Sequence, residues 1–113
     1  EPLGMVDTDF HVPPETARFL GVLRQGLREQ RRVRIAYARA DGTSSDRVVQ
    51  PLGLVFWGYR WHLAAWCELR GALRTFRVDR IQAGDLLEAF QPAPGQDLES
   101  YLGLMRSDPA ARA

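Results

Sequence analysis

A chain of 113 residues, 45% apolar and 26% charged, is long enough for one domain with a modest core and too short for two. No apolar run approaches the roughly 20 residues of a membrane-spanning helix, and one cysteine, Cys67, excludes an internal disulfide. The net charge of +1 hides an asymmetry: residues 31–80 carry ten Arg against four acids, the remainder five Arg against ten acids.

The N-terminal stretch, EPLGMVDTDFHVPPE, is acidic and lacks the basic-then-apolar order of a secretory signal. Without an initiator methionine it reads as part of something longer, with residues 1–13 extended and the setting cytoplasmic. Pro13-Pro14 blocks a helix upstream and permits one to start, because proline is tolerated in the first helical turn. From Glu15, the positions Ala17, Leu20, Leu23 and Leu27 recur at three- and four-residue spacing. That spacing predicts an amphipathic helix to about Gln30, too short to be stable alone.

Val33, Ile35 and Tyr37 then alternate with Arg34 and Ala36, the period-two pattern of a half-buried strand. Asp41-Gly42 signals a hairpin turn. A second strand is expected from about Asp46 through Val49, interrupted or edged by Pro51, before the apolar run Leu52–Trp57. Gly58-Tyr59-Arg60 reads as a tight turn. Strands at about 61–68 and 73–78 flank a turn at Leu69-Arg70-Gly71. Asp79-Arg80-Ile81 suggests a short helical turn capped by Asp79, and Leu86, Leu87 and Phe90 a last strand. Residues 91–95 read as a linker, followed by a short helix from about Asp97 to Met105 with Leu98, Tyr101, Leu102 and Met105 on one face. The division expected is residues 1–13, a domain at 14–90, and a linker with a short helix at 91–113. Five short strands with hairpin connections and one leading helix make the fold mainly β, a small, strongly bent antiparallel barrel.

Four segments of this pattern resemble the WYL domain of bacterial transcription regulators. They are the strand Val33–Tyr37, the segment Arg47-Val48-Val49-Gln50-Pro51-Leu52-Gly53-Leu54, the strand Trp61-His62-Leu63-Ala64-Ala65-Trp66-Cys67, and Arg74-Thr75-Phe76-Arg77-Val78-Asp79-Arg80-Ile81. With the leading helix the resemblance covers about residues 15–90. It implies an Sm-like, SH3-type five-stranded antiparallel barrel that commonly follows a winged helix-turn-helix and precedes a further small domain. The implied role is to sense an effector, including single-stranded nucleic acid in some members, and to alter how the protein engages promoter DNA. The implied ligand surface uses the Trp-Tyr-Leu motif and the arginines matching Arg47, Arg74, Arg77 and Arg80. In this chain the middle residue of the motif is His62, which keeps a flat ring, loses the phenol hydroxyl and introduces a group titrating near pH ~6.5.

Strand alternation sorts these residues by face. Trp61, Leu63, Ala65 and Cys67 share one side, suited to the core, while His62, Ala64 and Trp66 share a more exposed one where an aromatic platform stacks a base. Phe56 and Phe76 belong to the core by the same logic, leaving Arg77 exposed and Arg74 at the rim, either meeting an anion or pairing with Asp79 or Glu68. Arg80 joins Arg77 as a candidate for direct anion contact, Arg47 converges from the neighbouring strand, and Arg31, Arg32 and Arg34 read as a solvated edge. Trp57 and Tyr59, flanking a turn, are expected to be exposed. Every basic residue is Arg, whose planar fork makes bidentate contacts to phosphate.

The ligand set expected is therefore Arg47, Trp61, His62, Trp66, Arg74, Arg77 and Arg80. No cofactor, metal or catalytic residue is expected, since His11 and His62 belong to no metal-ligand spacing and no glycine-rich phosphate loop is present. The expected partner is a phosphate-bearing effector or single-stranded nucleic acid, with promoter DNA reached only through a separate helix-turn-helix. The alternative is a protein-interaction module that forms a homodimer or relays signal between flanking domains.

Overall fold

The computed structural model describes residues 14–107, so the expected extended segment 1–13 and His11 lie outside the described residues. Helix α1 spans Pro14–Glu29 and ends where Gln30 takes a positive φ of 50°. Leu20 and Leu23 are buried on its inner face, with Phe19, Val22 and Leu27 packed around them. Gly26 sits where a Cβ would come within 2.9 Å of Val33 Cγ2, so the absence of a side chain lets α1 lie close against the sheet.

The five strands are β1 (Arg31–Ala38), β2 (Ser44–Trp57), β3 (Arg60–Cys67), β4 (Ala72–Arg77) and β5 (Ile81–Ala89). All pairings are antiparallel, in the order β4-β3-β2-β1-β5. The fold is mainly β, as expected. Edge strands β4 and β5 share no ladder; a single 3-10 turn, Val78–Arg80, joins them. Tyr37 of β1 reaches across to β4 instead: its hydroxyl accepts the Arg77 N–H at 3.0 Å and its ring meets Phe76 edge-on at 5.0 Å.

Pro51 does not interrupt the second strand. β2 is continuous over 14 residues because β1 pairs with it only as far as Val49, so the missing donor of Pro51 falls beyond that ladder. The pairing with β3 shifts register between Pro51 and Gly53, a bulge that absorbs the irregularity.

The β2–β3 connection is a two-residue turn in which both Gly58 and Tyr59 have a φ of 61°. Two positive values suit a hairpin that follows the natural strand twist. Glycine adopts this conformation freely, whereas the Cβ of a tyrosine costs roughly 1–2 kcal/mol there. Tyr59 is 93% exposed and recovers little of that by packing. Tyr59→Asn is therefore expected to raise stability by about 1 kcal/mol, a gain of about 4–8 °C in thermal midpoint for a domain of this size. Calorimetry of the variant checks this directly.

The core lies between α1 and the concave sheet face. Val33, Ile35, Val49, Leu63, Cys67 and Val78 are completely buried there, with Phe76 and Ile81 closing one end. A smaller cluster occupies the opposite face of β3. Helix α2 (Leu98–Ser107) begins at Asp97, whose carboxylate accepts the Ser100 N–H at 2.9 Å, and lays Tyr101 and Met105 over Ala64. Tyr101 is fully buried, its hydroxyl 2.6 Å from Thr75 Oγ1.

Candidate anion-binding site

The β1–β2 loop and the β3–β4 turn emerge at the same end of the sheet, because alternate connections of an antiparallel meander return to the same side. The β1–β2 loop is shaped by Asp41, whose Oδ1 accepts the Thr43 N–H (2.9 Å) and hydroxyl (2.7 Å), and it carries Arg39. The β3–β4 turn closes through Gly71 N–H to the Cys67 carbonyl (2.8 Å) and carries Arg70. Between them lies a cavity of about 400 Å³ walled by Arg39, Arg70, Arg74 and Arg80, with Tyr37 and Thr75 alongside and Arg47 and Phe76 below. Its lining holds five arginines and no acidic residue.

Arg47 is the unusual member. It is 6% exposed, its Nε donates to Ser45 Oγ at 3.1 Å, and Nη1 lies 3.5 Å from the Cys67 sulfur. The guanidinium carbon sits 5.9 Å from the Phe76 ring centroid. No carboxylate meets this buried cation among the described residues. Arg39, Arg70, Arg74 and Arg80 likewise have no hydrogen bond or ion pair among them.

A second cavity of about 640 Å³ adjoins the first, sharing Tyr37, Thr75 and Arg80 and extending along Trp57, Arg60, His62 and Arg77. Arg77 is held by a two-point contact with Asp79, Nε to Oδ1 at 3.0 Å and Nη2 to Oδ2 at 2.6 Å. The hydrogen bonds from Arg77 draw the Asp79 carboxyl below its usual range against an opposing effect of burial, and Asp79 in turn holds the Arg77 charge more firmly. Asp79 is thus not the expected cap: the residue preceding the 3-10 turn is Arg77, without a side-chain cap. The alternative pairing of Arg74 with Asp79 or Glu68 is also absent. Glu68 instead accepts Arg32 Nε at 2.7 Å and Gln50 Nε2 at 2.9 Å, which draw its carboxyl down against the effect of burial. Arg31 and Arg32 are correspondingly tied down, through Glu29, Glu68, Glu88 and the Leu87 and Ala89 carbonyls, and are not a solvated edge.

The seven expected ligand residues therefore divide. Arg47, Arg74 and Arg80 meet in the first cavity; His62 and Arg77 line the second with Arg80. Trp61 is withdrawn into the core, its ring 5.2 Å from Phe56, as the alternation with Leu63 requires. Trp66 is half-buried and lines neither cavity. The outer face of β3 is not open: α2 covers Ala64, and His62 is only 8% exposed. Trp57 is half-buried against the α2 cluster, its ring tilted 39° to that of His62 at a centroid distance of 5.4 Å, leaving Tyr59 as the exposed aromatic of the pair expected there. Arg39 escaped the sequence reading because nothing local connects it to Arg70, 31 residues further along the chain; only the strand order does.

Among the described residues no group of His, Cys, Asp and Glu could hold a metal ion, and no helix is long and apolar enough to cross a membrane.

The sequence profile described as the WYL domain matches residues 18–86. The chain is 41% identical over 58 residues to the DNA-binding transcriptional repressor CapW of Escherichia coli, covering 50% of this chain and 19% of the repressor. It is 34% identical over 67 residues to CapW of Pseudomonas aeruginosa, covering 58% and 22% respectively. Among solved structures it is similar to the proteasome accessory factor B/C (PafBC) of Arthrobacter aurescens, with a TM-score of 0.64 and 30% identity over 67% of this chain and 12% of that one. The chain thus spans about a fifth of the length of these curated relatives.

Proposed function

Because this chain belongs to the WYL-domain family, we propose that it is the effector-sensing module of a bacterial transcription regulator, with the arginine-lined cavity as receptor for a phosphate-bearing ligand. Single-stranded nucleic acid or a nucleotide-like molecule is the ligand class this reading names. Contact with promoter DNA falls to a helix-turn-helix elsewhere in the longer protein. The relatives are transcription regulators, and no catalytic step enters this reading.

The observation that carries it is Arg47. A guanidinium withdrawn from water without an acidic partner is costly, and four further cations around it add repulsion. A phosphate in the cavity offsets both, and planar guanidinium forks are suited to its oxygens. Tyr37 and Phe76 give the same cavity ring surface beside the cations.

The test is a titration of a labelled oligothymidylate across a salt series. Each neutralised phosphate of a single strand contributes a slope of about −0.7 in log affinity against log salt. Replacing Arg74 and Arg80 together with alanine is expected to weaken binding at least tenfold and to make the slope shallower by about 1.4. The thermal midpoint should hardly move, since neither side chain has a hydrogen bond or ion pair among the described residues. Saturable binding that the double variant leaves untouched would sink the assignment.

A further inference from the structure

The second cavity contains one group whose bonding is incomplete. His62 is more than nine-tenths buried, and its Nδ1 lies 3.1 Å from the carbonyl oxygen of Arg60. A carbonyl only accepts, so Nδ1 carries the proton in either charge state. Nε2 has no hydrogen-bond partner among the described residues and is not a sealed, unsatisfied buried atom, and His62 is one of the residues lining the cavity. In the neutral ring Nε2 is a lone pair, which repels a phosphate oxygen. In the imidazolium it is a donor.

The surroundings set which form prevails. Arg60 from the same strand, Arg77 from β4 and Arg80 from the 3-10 turn are cationic, and among the described residues Asp79 is the acid that acts on the ring. Tyr37 of β1 adds a phenol and Trp57 of β2 a ring 5.4 Å away, while α2 packs on the same sheet face over the neighbouring positions around Ala64. Burial first, then Arg77 and Arg60, lower the His62 pKa from its ordinary value of about 6.5, opposed by the Arg60 carbonyl and Asp79. Without ligand the ring is therefore neutral at neutral pH. Of the three arginines, Arg77 is already committed to Asp79, which leaves Arg60 and Arg80 to attract an anion.

We infer that this cavity is a second phosphate subsite, continuous with the first through Arg80, and that filling it takes up one proton at His62 Nε2. The inference rests on the anion-binding reading of the adjoining cavity. The proton comes from solvent: neutral His62, a proton and a phosphate oxyanion give imidazolium hydrogen-bonded to phosphate, with no other bond made or broken. Ligand affinity then depends on pH even for a ligand that does not itself titrate. The affinity is highest and flat below the free His62 pKa. It falls by up to about tenfold per pH unit until the pKa of the liganded state is passed, and is flat again above it.

Calorimetric titration of the 113-residue chain with tetrathymidylate bearing a 5′-hydroxyl tests this, because phosphodiesters carry no proton near neutrality. Running it in two buffers of different ionisation enthalpy reads proton uptake directly, without any variant. Uptake approaching one proton per ligand, lost in His62→Gln, is the expected result; if that variant does not fold, the wild-type buffer comparison decides. A parallel series with the 5′-phosphorylated oligonucleotide separates the two sources of phosphate. Uptake confined to that series and removed by His62→Gln assigns the subsite to a terminal phosphomonoester. Tight binding of both ligands with heats independent of buffer overturns the proton-linked subsite and leaves the first cavity's reading intact. Failure of both to bind overturns the two together.

Discussion

Replacing Arg47 with methionine is expected to stabilise the unliganded protein and weaken it as a receptor. The guanidinium is buried, makes one oxygen contact to Ser45 and one long sulfur contact to Cys67, and faces four other arginines without an intervening carboxylate. Apolar replacements of buried ionic groups have gained about 1–4 kcal/mol in other folds, and here the charge removed has no partner to leave behind. Methionine also keeps contact with the Phe76 ring. The ligand, conversely, loses a charge-assisted contact worth about 1.5–3 kcal/mol, so affinity should fall roughly ten- to hundredfold. Thermal unfolding and oligonucleotide titration on one preparation check both halves. A variant that is less stable, or that binds undiminished, would show that Arg47 serves the fold and not the ligand.

The second large effect is structural. Phe76→Ala is expected to cost about 3–5 kcal/mol, a large share of the ~5–15 kcal/mol by which such domains are stable. Phe76 is 3% exposed and packs into the main core, while its ring also meets Tyr37 edge-on and lies under Arg47. Truncation thus opens the core at the place where the floor of the site is made. Phe76→Leu, which keeps most of the volume, should lose about 1–1.5 kcal/mol. Chemical denaturation of the pair measures the difference, and a small loss in the alanine variant would mean that the cavity collapses with little strain.

What could be read in advance follows from which contacts are local. Period-two alternation placed Leu63, Ala65 and Cys67 inside, and the three-four spacing of Leu20 and Leu23 placed α1 above them. The same alternation puts Trp61 with the core, against the family motif that drew it to the ligand surface; packing decides in favour of the alternation. The outer face of β3 was misjudged because its cover comes from more than thirty residues away: Ala64 is small enough to admit Tyr101, and nothing in the strand announces the helix that arrives. Arg47, Arg74 and Arg80 were legible as cations converging on one surface, but not as parts of a cavity that Arg39 and Arg70 complete from two loops. Arg77 lies on that sheet too, but the strand ends beside Asp79 and the side chain turns to it.

The pairing of β1 with β5 also governs when this domain comes into being on a ribosome. Arg31 finds Ala89 and Val33 finds Leu86 across more than fifty residues of chain, so one edge of β1 stays bare until nearly the whole domain has been synthesised. Hairpins β1–β2, β2–β3 and β3–β4 need only nearby residues and assemble early, whereas the docking of β5 is the slow, non-local step. Tyr37 faces Ile81 in that last ladder, and Arg80 is the residue just before it. The arginine-lined cavity is therefore completed in the same event that completes the fold.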